Sequence, residues 1–483
     1  MAQCRLLHRD DDSPKNWLYS RNFSPNLQSA GHPPSPHHVA TAKAGVIARP
    51  VADPINFALG PGWREDLNMA NETSHKTPGA ERAQSLSFRQ LRLFEAIGDL
   101  KSVRRASEAC SLSQPAVTQA LAKMEAQLGA TLVDRRASGS YLNEFGMVFH
   151  ARVKRFFEQT ERAVIEIGAA VNADGARAIV NRLTRSQLRT LVGVMEHGSF
   201  EQASECFDIS AASLQRAARD LQGNLRVSLF YRTAAGMLVS PQGIKLGQMI
   251  KLALQEIEWG VAEIDAALDG TSTPIVIGAM PFGGSVLLAS VLDQFLEKYP
   301  SADIRIMNES AVEMTKCLRA GEVDFVVGLL PEEVAPGLVC EPLIETPYAV
   351  VARAGHPLAR AGKVSVEELM AYDWITGTPG SSRRACFDRI FEGTKGPQTH
   401  VATCALPIIR HLLKRSDRLT LMTTYELTHE EGLRTLHCGQ IEAVPAIGIT
   451  TREDWMPTPV QSAFLDVIRA HVCAPPTPLR QVG

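Results

Sequence analysis

The chain repeats itself at an interval of 97 residues. Residues 90–146 align with 187–243 without a gap, and 15 of the 57 aligned pairs are identical. The match runs through turns as well as through apolar positions, so a whole structural unit has been duplicated rather than a single helix. Any fold proposed for this chain therefore has to contain that unit twice.

The repeated unit has the pattern of a winged helix-turn-helix. A helical period starts near residue 88, and a second helix follows with Ser102 as its N-cap. A short turn at 111–113 leads into a helix with Pro115 in its first turn, and TLVDRRASGSYLNEFG indicates two strands around a tight turn. The helix after the turn has its apolar residues spaced for one buried face in both copies: Val117, Leu121, Met124 and Leu128, then Leu214, Ala218, Leu221 and Leu225.

The rest of the chain divides into extensions, linkers and an α/β region. Residues 1–85 are rich in Pro, Gly, Ser and His without a sustained period, so we predict disorder, with Met69 as an alternative translation start. From residue 274, strand-type runs alternate with helices, which indicates a parallel sheet. The predicted segments are a disordered extension (1–85), winged domain 1 (86–146), linker helix 1 (147–175), winged domain 2 (183–243), linker helix 2 (244–270), an α/β domain (274–473) and a tail (474–483).

Composition excludes several classes of protein. Hydrophobic residues make up 45% and charged residues 21% of the chain, which is ordinary for a globular protein. No apolar run approaches the length of a membrane span, and acidic residues stand where a signal peptide needs an apolar stretch. The nine cysteines lack a CxxC pair, which favours a reduced cytoplasm over a disulfide framework or a metal site. We therefore expect a cytoplasmic protein with no metal and no cofactor.

A winged helix-turn-helix predicts contact with double-stranded DNA. Its second helix enters the major groove with its N-terminal residues, where Gln can bridge adenine and Arg can bridge guanine. Basic surpluses of three over 86–167 and four over 176–246 agree with this interpretation. The alternative is that these are ordinary solvated residues. The candidate DNA-binding residues are Ser113, Gln114, Pro115, Thr118, Gln119, Lys123, Arg135 and Arg136 in the first copy, and Ser210, Gln215, Arg216 and Arg232 in the second.

The motifs in their order resemble those of one family. LRLFEAIGDLKSVRRASEACSLSQPAVTQALAKMEAQLGATLVDR closely resembles the DNA-binding domain of LysR-type transcriptional regulators. PIVIGAMPFGG, VVARAGHPLA and GSSRR resemble landmarks of that family's effector domain. The resemblance covers about 86–473 and implies a winged helix, a long linker helix that pairs subunits, and a two-lobed effector domain like a periplasmic binding protein. It also implies a homodimer or homotetramer on promoter DNA.

The second copy departs from the family pattern in ways that leave its role open. Ala211 and Ala212 stand where the first copy has Gln114 and Pro115, and Arg226 stands where a glycine usually ends the helix. Two interpretations follow: a second reader of DNA, or a dimerisation and spacer unit without sequence readout. Loss of a bidentate amide from the second copy lowers its base discrimination by about 1–3 kcal/mol. We expect both copies to touch DNA and the first copy to supply most of the specificity.

The α/β domain predicts a crevice for a small effector. Ligands of such domains lie beyond the carboxyl ends of strands, and a helix that starts there suits an anion. A small carboxylate or a sugar fits this chemistry, while loop or hinge roles are the alternative for any one residue. The candidate effector-binding residues are Met280, Pro281, Phe282, Ser285, Thr376, Thr378, Ser381, Ser382, Cys404 and Thr423.

Two other functional classes fit the sequence less well. An enzyme is disfavoured because the chain shows no GxSxG elbow, no His–Glu metal pairing and no phosphate loop. A solute-binding protein of a transport or sensing system would suit 274–473 alone, but it predicts a signal peptide and gives the duplicated winged domains no purpose. The sequence thus predicts a non-catalytic, DNA-binding regulator with tandem winged domains and an effector domain.

Overall fold

The structure is a computed structural model that describes residues 78–136, 139–233, 236–270, 273–280, 283–427, 430–439, 441 and 444–473. The predicted start at Met69, most of the predicted disordered extension and the tail 474–483 lie outside these residues.

A short helix, α1 (Pro78–Ser85), precedes the first winged domain. The sequence predicted disorder up to residue 85, and for 78–85 this prediction is wrong. Arg82 forms an ion pair with Asp265 at 2.5 Å and donates a hydrogen bond to the carbonyl of Leu128 at 3.1 Å. Both partners lie far away along the chain, so tertiary contacts rather than a local pattern stabilise this helix.

The first winged domain contains three helices and a two-stranded wing. Its elements are α2 (Phe88–Leu100), α3 (Val103–Ala109), α4 (Gln114–Leu128), β1 (Val133–Arg136) and β2 (Gly139–Leu142). Ser87, Ser102 and Ser113 cap the three helices by accepting a backbone N–H of the first turn. The predicted apolar stripe of α4 is buried throughout, which confirms that this face packs on the core.

The first linker helix, α5 (Glu144–Glu166), is shorter than predicted. The sequence extended this helix to about 175, but the chain turns at Gly168, whose φ is +75°, and Asn172 caps a separate helix, α6 (Ala173–Val180). A residue with left-handed backbone angles cannot continue a right-handed helix. Glycine adopts this left-handed conformation without steric cost because it has no Cβ.

The second winged domain repeats the first element by element. Its elements are α7 (Arg185–His197), α8 (Phe200–Phe207), α9 (Ala211–Leu225), β3 (Phe230–Thr233) and β4 (Gly236–Val239). The bounds of α7, α9, β3 and β4 are those of α2, α4, β1 and β2 shifted by 97 residues. The apolar stripe of α9 is buried as predicted.

Equivalent residues make the same contacts in the two copies. Glu125 accepts hydrogen bonds from two backbone amides of the first wing, and Gln222 does so in the second. A Cβ on Gly146 would overlap the carbonyl oxygen of Leu132, and one on Gly243 would overlap that of Leu229. The retained glycines are therefore explained by close approach of the wing to the linker helix.

The second linker helix, α10 (Pro241–Asp269), packs lengthwise against α5. Contacts between the two helices run in opposite directions along the chain: Arg152 with Glu263, Gln159 with Glu256, and Glu166 with Lys245. The helices are thus antiparallel, and they share one hydrophobic core with both winged domains. The resemblance implied a linker helix that pairs subunits, whereas here the two linkers pair within one chain.

The effector domain begins with the first part of one lobe. Its elements are β5 (Ile275–Ala279), α11 (Gly283–Lys298), β6 (Ile304–Met307), α12 (Ala311–Ala320), β7 (Phe325–Leu329) and β8 (Leu338–Glu345). The chain returns to this lobe at its end. These last elements are β14 (Ala446–Arg452) and α17 (Pro459–Cys473), and the sheet order of the lobe is β6-β5-β7-β14-β8.

The second lobe lies between those two segments in sequence. Its elements are β9 (Tyr348–Arg353), α13 (Val366–Met370), β10 (Trp374–Thr376), α14 (Ser382–Ile390), β11 (Thr399–Ala402), α15 (Leu406–Arg415), β12 (Leu419–Thr423), α16 (Thr424–Leu427) and β13 (Leu433–Leu436), with sheet order β11-β10-β12-β9-β13. Each sheet is mixed rather than purely parallel, because β14 runs antiparallel to β7 and β9 runs antiparallel to β12. These strands follow the two crossings between the lobes, which the sequence pattern did not predict.

Among the described residues, no helix combines the length and the apolar composition that a membrane span needs.

Candidate DNA interface and effector cleft

The structure leaves the predicted DNA-contacting residues on the surface. Of the twelve candidates, Thr118 and Gln215 are half-buried, and the remaining ten are exposed. We call α4 and α9, the helices that follow the turn in each winged domain, the recognition helices. The buried stripe of each recognition helix lies on the opposite face. This division leaves the polar face of α4 and α9 available to a partner, which is the arrangement that major-groove contact requires.

The first recognition helix presents short polar residues at its N-terminus. Ser113 caps α4 through a hydrogen bond from the amide of Ala116 at 3.4 Å, and the exposed Gln114 and Pro115 occupy the first turn. On the adjacent wing, the guanidinium carbon of Arg136 lies 5.6 Å from the ring centroid of Tyr141. That contact orients one of the two exposed wing arginines.

The second recognition helix has the same geometry and a different chemistry. Ser210 caps α9 by accepting a hydrogen bond from the amide of Ser213 at 3.3 Å. Gln215 is half-buried and Arg216 is exposed, in the positions of Thr118 and Gln119. Both helices can meet a base edge, but they offer different donors and acceptors.

A cleft opens where strands of the two effector lobes end. Two adjoining cavities of about 80 Å³ and about 260 Å³ share several lining residues. Apolar side chains form much of the wall, including Met280, Val312 and Leu329. Hydroxyl groups supply most of the polar lining, from Ser310, Tyr348, Thr378, Ser381 and Ser382. The cleft therefore suits a small molecule with an apolar body and a few oxygen atoms.

Five of the ten predicted effector residues line this cleft: Met280, Thr378, Ser381, Ser382 and Cys404. Thr378 and Cys404 contact each other, with their Oγ1 and Sγ atoms 3.2 Å apart. Ser285 does not line it; its Oγ accepts a hydrogen bond from the side-chain Nδ2 of Asn308 at 3.0 Å. Pro281 and Phe282 lie outside the described residues.

Thr376 and Thr423 lie at strand ends but not on the cleft wall. Both are buried, and Thr423 accepts a hydrogen bond from the amide of Glu426 at 3.4 Å, which starts α16. Neither side chain is among those that line the two cavities, and their contact with an effector stays a prediction. A strand-end rule selects this edge of the sheet but cannot tell which side chains turn into the crevice.

Sequence reasoning missed three polar residues of the cleft. Tyr348 begins β9, and its hydroxyl lies 2.9 Å from the Oγ of Ser382. Burial raises the pKa of Tyr348 to about 12, so the phenol stays neutral and can donate a hydrogen bond. Arg383 pairs with Glu426 at 3.0 Å, and Ser310 caps α12. Arg383 belongs to the motif GSSRR, so its place beside the cleft could have been predicted. Tyr348 follows the crossing between the lobes, and no motif marks it.

Two helices begin at the cleft. The N-caps of α12 and α14 are Ser310 and Ser381, and both line it. A helix N-terminus carries partial positive charge and directs backbone amides outward, which favours an anionic group. Within the described ranges, no three His, Cys, Asp or Glu side chains are grouped as metal ligands.

Comparison with known proteins assigns the family. The bacterial regulatory helix-turn-helix domain of the lysR family matches twice, at 88–147 and 186–244, and the LysR substrate binding domain matches 268–473. The chain belongs to the LysR family of transcriptional regulators. It is accordingly a DNA-binding regulator that responds to a small-molecule effector, and not an enzyme.

Relatives share different amounts of this architecture. The HTH-type transcriptional regulator GalR of Pseudomonas putida is 29% identical over 393 residues, which span 79% of this chain and 96% of that protein. An alignment of that extent has to run through both winged domains. GbpR of Rhizobium radiobacter is 27% identical over 210 residues, covering 43% of this chain and 69% of that protein. A solved structure of full-length OxyR from Pseudomonas aeruginosa, a cysteine variant, has a TM-score of 0.44 at 20% identity and covers 60% of this chain and 95% of that one.

Proposed function

We propose that both winged domains of this LysR-type regulator contact promoter DNA in the cytoplasm, and that a small carboxylate in the cleft between the lobes changes this contact. The observation that carries the first part is the shared exposure of the polar faces of α4 and α9 opposite a buried stripe. A spacer that had lost DNA contact would have no need to keep an exposed Arg216 on α9 and an exposed Arg232 on its wing.

The two copies divide the work of recognition. Gln114 offers an amide that can bridge adenine, and Lys123, Arg135 and Arg136 supply positive charge for the phosphates. The second copy keeps Arg216 but has Asp220 in the position of Lys123. We therefore expect the first copy to contribute more of the affinity and the specificity.

Footprinting on the DNA upstream of the gene tests this part. Wild type is compared with Gln114→Ala/Thr118→Ala and with Gln215→Ala/Arg216→Ala, and Arg305→Ala on the effector domain is the control for lost positive charge. We expect the second variant to lose part of the protected region and to retain the rest. Protection that changes only in the first variant would make the second winged domain a spacer, and no protection at low salt by wild type would refute DNA binding altogether.

A carboxylate is favoured over a sugar by the groups that surround the cleft. Ser310 and Ser381 mark two helix N-termini, and the neutral hydroxyl of Tyr348 adds a donor beside Ser382. Much of the remaining wall is apolar, which disfavours a fully hydroxylated sugar and suits the hydrocarbon part of an organic acid. The effector domain therefore resembles a site for a small organic anion.

Thermal-shift and calorimetric titrations test the effector class. A panel of aromatic and aliphatic monocarboxylates is compared with the matching primary amides and with neutral monosaccharides. We expect a carboxylate to stabilise the protein and its amide to fail, and Tyr348→Phe to weaken binding by about 5–10-fold through loss of one hydrogen bond. Tyr299→Phe, directly after α11 and away from the cleft, is the matched control. Stabilisation by sugars alone would overturn the assignment.

Because the two linker helices pair with each other within one chain, they limit the surfaces through which subunits can associate. The seam between α5 and α10 is already filled, so a homodimer or homotetramer would have to form through other surfaces.

A further inference from the structure

The two winged domains are arranged about an approximate two-fold axis within one chain. The antiparallel contacts between α5 and α10 place equivalent helices side by side in opposite directions. Phe88 and Arg185 occupy equivalent positions in the two copies, and the guanidinium carbon of Arg185 lies 5.6 Å from the Phe88 ring centroid. Equivalent residues of two units touch each other only near a two-fold axis, because the rotation carries each onto the other.

The flanking helices show the same reciprocity. The helix α1, before the first winged domain, packs on α10 of the second copy through Arg82 and Asp265. The helix α6, before the second winged domain, packs on α5 of the first copy through Arg177 and Glu161, whose Nε and Oε1 atoms lie 3.2 Å apart. Each copy therefore contributes a helix to the linker of the other, as in a symmetric dimer whose halves have been joined.

The chemistry of the two halves is unequal at the DNA face. Identities between the copies include caps, core residues, close-packed glycines and one wing arginine, such as Ser102 with Ser199, Leu128 with Leu225, Gly146 with Gly243 and Arg135 with Arg232. Apart from Ser113 with Ser210, the candidate positions on the recognition helices differ: Gln114 with Ala211, Pro115 with Ala212, Thr118 with Gln215, Gln119 with Arg216 and Lys123 with Asp220. Residues that stabilise the fold of the domain are thus shared by the two copies, whereas most residues that could contact a base differ.

From these observations we infer that a single chain reads one complete operator made of two unlike half-sites. A two-fold pair of winged domains matches the dyad of duplex DNA, so its two recognition helices meet successive half-sites. Identical subunits would read an inverted repeat, whereas α4 and α9 select different bases. The half-site under α4 carries adenine opposite Gln114, and the half-site under α9 carries guanine opposite Arg216. This inference rests on the proposed contact of both winged domains with DNA.

Symmetrised operators test the inference on the full-length protein. The natural footprint is divided at its centre, and two further duplexes are made in which either the left or the right half is repeated as an inverted repeat. We expect the natural duplex to bind about 10-fold or more tightly than both symmetrised duplexes, because each of those presents one wrong half-site. Mass photometry with an excess of a duplex of one footprint should show as many bound duplexes as chains, in a monomer or in a homo-oligomer.

Exchange of the recognition residues supplies a gain of function. The variant Ala211→Gln/Ala212→Pro/Gln215→Thr/Arg216→Gln/Asp220→Lys carries the first recognition surface twice, and Gln114→Ala/Pro115→Ala/Thr118→Gln/Gln119→Arg/Lys123→Asp carries the second twice. All of these positions are solvent-facing or half-buried, and circular dichroism checks that both variants fold. We expect each variant to prefer a different symmetrised duplex over the natural one.

The outcomes separate this inference from the proposed function. If wild type binds one symmetrised duplex as tightly as the natural one, or fewer duplexes than chains bind at saturation, the one-chain operator is wrong while DNA binding by the protein stands. If wild type protects no DNA, the proposed function itself fails. Retention of the natural preference by both exchange variants would also overturn the inference.

Discussion

Glu95 is a half-buried acid of α2 whose pKa lies in the neutral range. Burial raises its pKa from 4.5 to about 7, with nearby Asp99 and Glu161 adding to the shift and Arg177 and Lys154 opposing it. Between these pH values the folded state holds a proton that the unfolded state has lost. The free energy of unfolding therefore falls as the pH rises from about 4.5 to about 7.

Replacement of this acid by its neutral isostere should remove that dependence. We expect Glu95→Gln to raise the free energy of unfolding by about 1–3 kcal/mol at pH 8, and by less than about 1 kcal/mol at pH 5, where folded Glu95 is already protonated. Urea unfolding at both pH values measures the difference, with the exposed Glu158→Gln on α5 as control. An equal gain at both pH values would contradict this account.

The ends of the two recognition helices differ by one side chain. Gly129 ends α4 with φ +71°, and Arg226 ends α9 with φ +56°. The left-handed conformation costs about 1–2 kcal/mol for a residue with a Cβ, partly offset because glycine is more flexible in the unfolded chain. We expect Arg226→Gly to stabilise the protein by about 0.5–1 kcal/mol and Gly129→Ala to destabilise it by a similar amount. Thermal unfolding of both variants checks this, and equal signs would contradict it.

Elements with a local cause could be predicted from the sequence. The caps at Ser102 and Ser113, the stripe from Val117 to Leu128 and the wing follow from periodicity and from short-range hydrogen bonds. The early end of α5 was missed because its residues keep a helical pattern past Gly168, and only the φ of that glycine ends the helix. The helix α1 was missed because its partner Asp265 is distant in sequence.

At the scale of the molecule, the arrangement of the parts could not be read from the pattern. Each linker was predicted as a helix, but nothing in either sequence says that its apolar face meets the other copy rather than a second subunit. The cleft shows the same limit. Tyr348 and Ser382 are 34 residues apart in the chain, yet their hydroxyl oxygens lie 2.9 Å from each other. Local chemistry identifies elements, whereas contacts between distant segments depend on which surfaces fit together.

Arg152 joins three parts of the molecule at one buried point. Its Nη1 donates to Glu256 at 2.8 Å and to the carbonyl of Met456 at 3.0 Å, and its Nη2 donates to Glu263 at 2.6 Å. The guanidinium is fully buried, and the two carboxylates are nearly so. Arg152 therefore ties α5 to α10 and both linkers to the loop between β14 and α17 of the effector domain.

Removal of this guanidinium should weaken the whole assembly. We expect Arg152→Leu to lower the free energy of unfolding by about 3–5 kcal/mol, because Glu256 and Glu263 then remain buried without their main partner. Arg162→Leu on the same helix, which breaks an exposed pair with Asp454, should cost less than about 1 kcal/mol. Calorimetry of both variants measures these changes in the free energy of unfolding. Adding Glu256→Gln/Glu263→Gln to Arg152→Leu should recover part of the lost stability. Equal costs for the two arginines would mean that the buried cluster does not hold the linkers and the effector domain together.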